Sequence, residues 1–319
     1  MSPRRLSIEI VTPAPPGSLT GNRVTANRWA AILRDLGHRV RLTTAYEDSS
    51  VDVLVALHAR RSHPSIRRFR ERHPDGRLVL ALTGTDVYRD IHQDADAAAS
   101  LTLATLLVVL QEAAIDEIPS ALRVKARVIL QSAPPRTRKR KRSSPPRLAV
   151  VGHLRVEKDP FRLAEALSLL PNLALEVVHA GKALTPEMEN EARQWMRRDA
   201  RYRWVGELSR AQARQRMADS EALVLTSLME GGANVIPESV VCGVPVLASR
   251  ISSSVALLGR GYQGFFPTGD TAGLADLVRR FVDDVSLRRT LQQQVRRLQP
   301  KFDPRREREA WEKVLRELM

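Results

Sequence analysis

The sequence predicts an α/β protein made of two halves of similar size, each with a parallel sheet covered by helices. Short β-rich apolar runs alternate with helical runs along the chain. The alternation stops at APPRTRKRKRSSPPR, residues 133–147, and then starts again. Strands that alternate with helices form parallel sheets, and 319 residues are enough for two domains.

The first half contains six apolar runs with strand character. They are LSIEIVT, HRVRLTT, VDVLVALH, RLVLAL, LATLLVVL and KARVILQ. GNRVTANRWAAILRDLG follows the first run and has helical periodicity, with Gly37 as a stop signal, and the helical SIRRFRERH follows the third. We therefore predict a first domain over residues 1–133.

The second half repeats this organisation after the basic segment. Its strand runs are RLAVVG, LALEVVHAG, YRWVG, ALVLTS, VPVLAS and GFFPTG. The C-terminal segment has apolar residues at Trp311, Leu315 and Leu318, a helical spacing. The predicted boundaries are a linker at 134–147, a second domain at 148–299 and a terminal helix at 300–319.

Composition restricts the class of partner. The formal charge is +15, from 51 Lys plus Arg and 36 Asp plus Glu. A charge of this sign attracts anions. The excess of arginine also fits a general compositional bias of the sequence. No aromatic residue interrupts the basic run Arg136–Arg142, so a solvated linker is favoured over a nucleic-acid site. We expect no nucleic-acid partner.

Location and cofactor content are also predicted from simple counts. No apolar run reaches about eighteen residues, and the N-terminal segment lacks signal-peptide character, so neither a membrane span nor secretion is expected. Cys242 is the single cysteine, which fits a cytoplasmic protein. The one D-x-D, Asp94 to Asp96, lies in a helical stretch, so we expect no metal and no cofactor.

Polar loops follow the strands of the first half. Ligands of open parallel sheets bind at the carboxyl ends of strands, where these loops meet. The loop after the first strand leads into a predicted helix, and HARRSH and TGTD follow the third and fourth strands. The candidate residues for an anionic ligand are Gly21, Asn22, Arg23, His58, Arg60, Arg61, Thr85 and Asp86.

Two segments of the second half point to a phosphate-containing ligand. VGHLRVEKDP places Gly152, His153, Arg155 and Lys158 after a strand, where cations can neutralise a diphosphate without a metal. In SLMEGGANVIPES, Glu230 precedes and Glu238 follows a Gly-Gly-Ala-Asn turn. Pro237 requires that the helix begins near Asn234. Carboxylates on both sides of a helix start can bind the hydroxyls of an elongated ligand whose phosphates lie between them.

EGGANVIPE, followed by CGVPVLAS, resembles the E-x7-E donor motif of family-four glycosyltransferases, and VGHLRVEKDP resembles their G-R-L-x-x-E-K segment. The resemblance implies the GT-B fold: two Rossmann-like domains facing a cleft, with a C-terminal helix that crosses back to the first. It implies that Glu238 binds ribose and Glu230 the donor sugar. The implied donor site further includes Gly152, His153, Arg155, Lys158, Gly206, Gly231, Gly232, Ala233, Asn234 and Val235.

A narrower resemblance concerns segments of both halves. TPAPPGSLTGNRVTANRWA, ALHARRSHPSIRRF, LALTGTDVYRDI and GHLRVEKDPFR are similar to the selenosugar synthases of selenoneine biosynthesis. This implies transfer of a sugar from a UDP-sugar, such as UDP-N-acetylglucosamine, to selenophosphate. The implied catalytic residues are His58, Asp86, Lys158 and Glu230, with Asp86 and His58 as alternatives for orienting the acceptor. Ser252–Ser254 depart from the Gly-Asn expected near the sugar.

Three other functions remain open at this point. A conventional transferase would use a hydroxyl acceptor, a nucleic-acid binder would use the basic linker, and an epimerase would consume UDP-sugar without an acceptor. The oligomeric state stays unknown. Dependence of UDP release on the acceptor distinguishes the transferases, and a steep salt dependence marks the nucleic-acid binder.

Overall fold

The computed structural model describes residues 5–137 and 144–319, which form two compact units. The first unit combines the chain up to Gln131 with Pro304–Met319, and the second is Ser132–Asp303. The predicted linker at 134–147 includes residues 138–143, which lie outside the described residues. The described part of this segment belongs to the second unit.

The first unit contains a six-stranded sheet in which every pair of neighbouring strands is parallel. The strand order is β2-β1-β3-β4-β5-β6, and each strand lies inside one of the predicted apolar runs. Strands β3 and β5 are entirely buried, as expected for strands covered on both faces. The strands are β1 Ser7–Val11, β2 Arg39–Thr43, β3 Val53–Leu57, β4 Arg77–Leu82, β5 Leu106–Val109 and β6 Ala126–Val128.

Among the described residues of this unit there are five α-helices, and the last comes from the C-terminal part of the chain. Trp29 of the first helix and Trp311 of the last are fully buried, and their rings meet edge to face at 4.9 Å. The predicted helical spacing of Trp311, Leu315 and Leu318 corresponds to the face buried in the core. The helices are α1 Gly21–Asp35, α2 His63–Arg72, α3 Ile91–Gln93, α4 Ala95–Leu103 and α12 Pro304–Leu318.

The second unit contains another parallel six-stranded sheet, in the order β12-β11-β10-β7-β8-β9. Its strands also lie inside the predicted runs, so the predicted α/β class with two parallel sheets is confirmed. The strands are β7 Arg147–Val151, β8 Glu176–Ala180, β9 Tyr202–Trp204, β10 Ala222–Leu225, β11 Val246–Ser249 and β12 Phe265–Phe266.

The described part of the second unit, residues 132–137 and 144–303, contains seven α-helices. The helix predicted to start near Asn234 has Asn234 as its N-cap, and Gly243 follows its end with a φ of 71°, in the left-handed region. The helices are α5 Arg162–Ser168, α6 Pro186–Arg198, α7 Arg210–Ala218, α8 Val235–Val241, α9 Ser252–Leu258, α10 Thr271–Asp283 and α11 Val285–Leu298. Within the part of the chain that the structure describes, none of the helices combines the length and the hydrophobicity of a transmembrane span.

A buried carboxylate attaches α12 to the first unit. Glu307 accepts hydrogen bonds from Trp29 Nε1 at 2.8 Å and from Arg28 Nε at 3.1 Å. We expect Glu307→Ala to lower the free energy of unfolding by about 1–3 kcal/mol, because the buried indole N–H loses its acceptor. Chemical denaturation measures this, with the exposed Glu309→Ala on the same helix as control. Equal stability of the two variants would contradict this role of Glu307.

Candidate active site

Three strand ends of the second unit form a glycine cradle, defined here as Gly152, Gly181 and Gly206. The backbone N–H of Gly152 donates to Ala180 O at 2.9 Å, and that of Gly181 donates to Gly206 O at 2.8 Å. A Cβ added to Gly181 would lie 1.8 Å from Gly152 O, well inside van der Waals contact. Position 181 therefore requires glycine, and the backbone after β7 is held close to that after β8.

A buried histidine forms a hydrogen bond to the backbone of the glycine cradle. His179 Nε2 lies 3.3 Å from Gly152 O, and His179 Nδ1 lies 2.7 Å from the Tyr202 hydroxyl. Because a carbonyl only accepts hydrogen bonds, Nε2 carries the proton, and Nδ1 accepts from Tyr202. Burial lowers the pKa of His179 to about 4, and the hydrogen bond to Gly152 only partly opposes this. The imidazole is therefore neutral at physiological pH.

The predicted lysine and first glutamate come together beside this cradle. Lys158 Nζ forms an ion pair with Glu230 Oε1, and Ser227 Oγ donates to the same oxygen at 2.7 Å. The Thr226 hydroxyl bonds to Lys158 O at 2.9 Å, which joins the loop after β7 to the loop after β10. A small cavity of about 10 Å³, enough for about one water, is lined in part by Gly152, His153, Lys158, His179, Thr226 and Ser227.

The second glutamate is held by arginines of α7. Arg210 donates to Glu238 Oε1 from Nε at 3.1 Å and from Nη2 at 2.9 Å. Arg214 Nε lies 3.7 Å from the same oxygen. Glu238 is 7% exposed, so these cations offset the cost of burying its charge. The sequence interpretation missed both arginines, since nothing local distinguishes them from the many others in the chain.

The other predicted donor-site residues lie on the same loops. His153 Nδ1 accepts from the backbone N–H of Lys182 at 3.2 Å. Within residues 5–137 and 144–319, the Arg155 side chain forms no hydrogen bond or ion pair. Gly206 adopts a φ of 69° and has open space beside it. The turn Gly231, Gly232, Ala233 and Asn234 leads into α8 at Val235.

A strained histidine marks the candidate site of the first unit. His58 follows β3 with a φ of 78°, a left-handed conformation that is costly for a residue with a side chain, and it is 3% exposed. Asp86 is fully buried, and its two oxygens accept from the backbone N–H groups of Ala59 at 2.9 Å and Gly84 at 2.7 Å. Burial lowers the pKa of His58, and Asp86 and Asp90 only partly oppose this.

A second buried carboxylate lies on the other side of His58. Asp86–Asp90 forms one turn of π-helix, and Asp90 Oδ2 is 3.8 Å from His58 Nε2. Asp90 accepts from Arg60 Nε at 3.0 Å and from Arg89 Nε at 3.1 Å. The sequence interpretation included Arg60 but missed Arg89 and Asp90. The acidic and basic residues of VYRD, directly after TGTD, were the available signal.

The start of α1 reaches the same sheet edge. Thr83 Oγ1 donates to Asn22 Oδ1 at 2.7 Å, which joins the loop after β4 to the first turn of α1. Arg23 Nη1 lies 3.5 Å from Ala14 O, while its buried Nε has no hydrogen-bond partner among the described residues. Gly21 is the first, exposed residue of α1. Arg61 is also exposed, and Thr85 Oγ1 lies 3.4 Å from Arg89 Nη2.

The D-x-D segment has the structural role expected of it. Asp94 caps α4 by accepting from the backbone N–H of Ala97 at 2.9 Å, and Asp96 lies 3.4 Å from His63. No group of three or more His, Cys, Asp and Glu side chains that could hold a metal ion occurs among the residues described.

Residues 135–298, about half of the chain, match the family described as glycosyl transferases group 1. The chain belongs to this family. It is therefore a glycosyltransferase, as the E-x7-E segment indicates. The family match contains the glycine cradle, the Lys158–Glu230 pair and Glu238. A comparison with curated proteins finds no match.

Solved structures share the fold of this glycosyltransferase. Sucrose-phosphate synthase (tll1590) from Thermosynechococcus elongatus is 15% identical, with a TM-score of 0.79 over 98% of this chain and 99% of its own. Anabaena Alr3699/HepE in complex with UDP-glucose is 15% identical, with a TM-score of 0.76 over 97% of this chain and 99% of its own. An alpha,alpha-trehalose-phosphate synthase (UDP-forming) from Burkholderia vietnamiensis is 13% identical, with a TM-score of 0.67 over 83% of this chain and 72% of its own. This structural similarity establishes that the chain has a GT-B-like fold.

The buried imidazole of His179 gives the transferase an acid-sensitive stability. The pKa of His179 is about 4 in the folded protein, whereas the ordinary value of 6.5 applies to the unfolded chain. As the pH falls from 6.5 toward 4, the unfolded state therefore binds a proton that the folded state does not, and folding becomes less favourable. Between pH 6.5 and pH 5 the expected loss is about 1.5 kcal/mol of unfolding free energy. Denaturation of wild type and His179→Asn at both pH values measures it. Parallel pH dependences of the two proteins would contradict this role of His179.

Proposed function

We propose that this glycosyltransferase transfers a sugar from a UDP-sugar, specifically UDP-N-acetylglucosamine, to selenophosphate. The observation that carries the donor half is the pair of buried glutamates of the E-x7-E segment, each held by a cation. Lys158 pairs with Glu230, and Arg210 pairs with Glu238. Structures of similar fold that are described with UDP-glucose or as UDP-forming support a uridine nucleotide.

In the proposed donor complex, the glycine cradle allows close approach of the diphosphate, and Lys158 neutralises its charge. Glu238 is proposed to bind the ribose hydroxyls through Oε2, since Arg210 and Arg214 are directed at Oε1. Glu230 is proposed to bind the sugar hydroxyls. Its ion pair with Lys158 sets the direction of both side chains, so that the sugar and the diphosphate are positioned by one connected group.

The proposed reaction forms one bond and breaks one bond at the anomeric carbon. Selenium of selenophosphate attacks this carbon, and its bond to the UDP oxygen breaks with release of UDP. Lys158 stabilises the negative charge that develops on the leaving diphosphate, which would remove the need for a metal. Water later attacks phosphorus and breaks the selenium–phosphorus bond, which releases phosphate and the selenosugar.

We propose that the acceptor binds at the His58 edge of the first unit. Arg23, Arg60 and Arg61 supply positive charge there, with Gly21, Asn22 and Thr85 on the same loops. Asp86 has both oxygens occupied by backbone N–H groups, so we assign it a positioning role for the His58 and Gly84 loops. Of the two alternatives from the sequence, His58 is therefore the better candidate for contact with the acceptor.

A hydroxyl acceptor is the alternative, and one observation favours it. Burial lowers the pKa of His58, so the imidazole is neutral at pH 7 and could accept a proton from an attacking hydroxyl. A selenophosphate acceptor is already ionised and requires no such base. Replacement of His58 therefore separates the two functions, because only transfer to a hydroxyl should depend strongly on this imidazole.

Calorimetric titration tests the donor half of the proposal. We expect UDP and UDP-N-acetylglucosamine to bind without added metal, and ADP and GDP to bind at least about tenfold more weakly, a difference of about 1.4 kcal/mol. Binding of ADP or GDP as tight as that of UDP would contradict the assignment of a uridine nucleotide. An absolute requirement for a divalent ion would contradict the role given to Lys158.

A further inference from the structure

The stem of Lys158 lies directly beside the glycine cradle. A Cβ added to Gly152 would be 3.8 Å from Lys158 Cδ and 3.9 Å from Lys158 Cε. The side chain continues past this glycine to its ion pair with Glu230, and it is 19% exposed. A lysine has a flexible four-carbon stem, so its covalent geometry does not fix this path. The position of the ammonium group therefore depends on the backbone from which the side chain starts.

That backbone is a tight turn that ends in a left-handed residue. Val156–Lys158 form one turn of 3-10 helix, and Asp159 follows with a φ of 45° and a ψ of 58°. This conformation is uncommon for residues with a side chain, although Asp adopts it more readily than most. Arg162 Nε, on α5, donates to Asp159 Oδ2 at 2.7 Å. The carboxylate of the left-handed residue is thus attached to a helix.

A buried hydroxyl attaches the same turn to the loop after β10. Thr226 is 3% exposed, and its Oγ1 is 2.9 Å from Lys158 O and 2.8 Å from Asp159 O. A hydroxyl has one proton, so the two carbonyls share one donor. The backbone N–H of Leu228 donates to Glu157 O at 2.9 Å. Three consecutive carbonyls of the turn are therefore bonded to this loop.

The same loop also orients the acidic partner of Lys158. Ser227 is fully buried, and its Oγ donates to Glu230 Oε1 at 2.7 Å. The carbonyl of Ser227 accepts from Ser249 Oγ at 2.6 Å, which fixes the loop to the end of β11. One loop thus holds the backbone of Lys158 through Thr226 and the carboxylate of Glu230 through Ser227. Both ends of the ion pair are in place before a donor binds.

We propose that Thr226 and Asp159 are positioning residues that hold the ammonium group of Lys158 beside the glycine cradle for the diphosphate of the donor. The inference rests on the proposed function for the diphosphate contact of Lys158, and it does not depend on the identity of the acceptor. Neither positioning residue has to touch the donor. Loss of either one should weaken binding of the nucleotide diphosphate through Lys158.

A double-mutant cycle with Lys158 tests this role. Titration calorimetry measures the UDP affinity of the full-length protein without added metal, for wild type, Thr226→Val, Lys158→Met and the double variant. We expect Thr226→Val to weaken UDP binding about tenfold, the size of one lost buried hydrogen bond. In the Lys158→Met background the same substitution should change UDP affinity by less than about twofold, because no ammonium group remains to be positioned. Thr226→Ser keeps the hydroxyl and should bind UDP as wild type does.

Asp159→Ala distinguishes positioning from electrostatics. The substitution removes a negative charge close to Lys158, so a purely electrostatic effect would strengthen UDP binding. We expect UDP binding to weaken about tenfold instead, because alanine lacks the carboxylate that Arg162 holds and adopts the left-handed conformation less readily. If Thr226→Val is unfolded, Asp159→Ala decides alone.

Two control variants match these losses elsewhere in the second unit. Ser220→Ala removes a buried hydroxyl that donates to Arg216 O at 2.8 Å, and Asp276→Ala removes an exposed carboxylate of α10. Both should bind UDP as wild type does. The melting temperature of every variant establishes that it is folded.

Wild-type UDP affinity in Thr226→Val, or an equal loss with and without Lys158, would overturn the role of Thr226. Wild-type or tighter UDP binding by Asp159→Ala would overturn the role of Asp159. If Lys158→Met binds UDP as wild type does, the proposed diphosphate contact is wrong and the inference fails with it. If the cycle shows the expected coupling but no selenium-containing product forms, the positioning of Lys158 stands and the selenophosphate acceptor does not.

Discussion

The substitution Gly181→Ala is expected to remove donor binding and to destabilise the second unit by more than about 3 kcal/mol, the upper range for overpacking. The added Cβ would lie 1.8 Å from Gly152 O, so one of the two strand ends must move. That movement would break the hydrogen bond from Gly181 to Gly206 and displace the backbone that is proposed to face the diphosphate. Denaturation and UDP titration measure the two effects.

Gly261→Ala is the matched control for this substitution. A Cβ at Gly261 meets no atom within 4 Å, and the residue is in the same unit. We expect its stability and UDP affinity to remain close to wild type. Wild-type UDP affinity in Gly181→Ala would show that the close approach of Gly152 and Gly181 has no role in donor binding.

Glu238→Ala is expected to weaken UDP and UDP-sugar binding alike, by about 100-fold, as for loss of a charged hydrogen-bond partner. The carboxylate is proposed to bind ribose, which both ligands contain. Its loss also leaves Arg210 and the buried Arg214 without their carboxylate partner. Glu230→Ala should differ, with a larger effect on UDP-sugar than on UDP, because its proposed contacts are with the sugar. Calorimetric titration of both ligands with both variants measures the four affinities.

Glu189→Ala, which removes a partly exposed glutamate paired with Arg193, is the control for loss of one negative charge. Its affinities for both ligands should equal those of wild type. If Glu238→Ala bound UDP with wild-type affinity, the assignment of Glu238 to the ribose would be wrong. If Glu230→Ala affected UDP and UDP-sugar equally, the separate assignment to the sugar would be wrong.

The strands could be predicted from the sequence because buried parallel strands are continuous apolar runs between turn residues. Runs such as VDVLVALH and ALVLTS bury every residue of their strands, so the local pattern alone distinguishes them. The start of α8 was also predictable, since Pro237 restricts where a helix begins. At Asp86–Asp90 the sequence predicts only a loop, because the hydrogen-bond pattern of this π-helical turn has no simple sequence signal.

The candidate site was predictable where its residues share a short motif. Glu230, Glu238 and Lys158 lie in segments whose glycine, proline and charge spacing is informative. Arg210 was not predictable because it meets Glu238 across 28 positions of sequence, through packing of α7 on α8. His179 was missed for a similar reason, since inside the apolar run LALEVVHAG it has no feature that shows its bond to Gly152.

The most direct test of the proposed function is incubation of the purified protein with UDP-N-acetylglucosamine, with and without selenophosphate, followed by mass spectrometry. We expect UDP release that depends on selenophosphate and a sugar product that carries the selenium isotope pattern. UDP release with a hydroxyl acceptor only, and no selenium-containing product, would contradict selenophosphate as the acceptor. In that case the donor site would stand, and the alternative function would replace the proposed one.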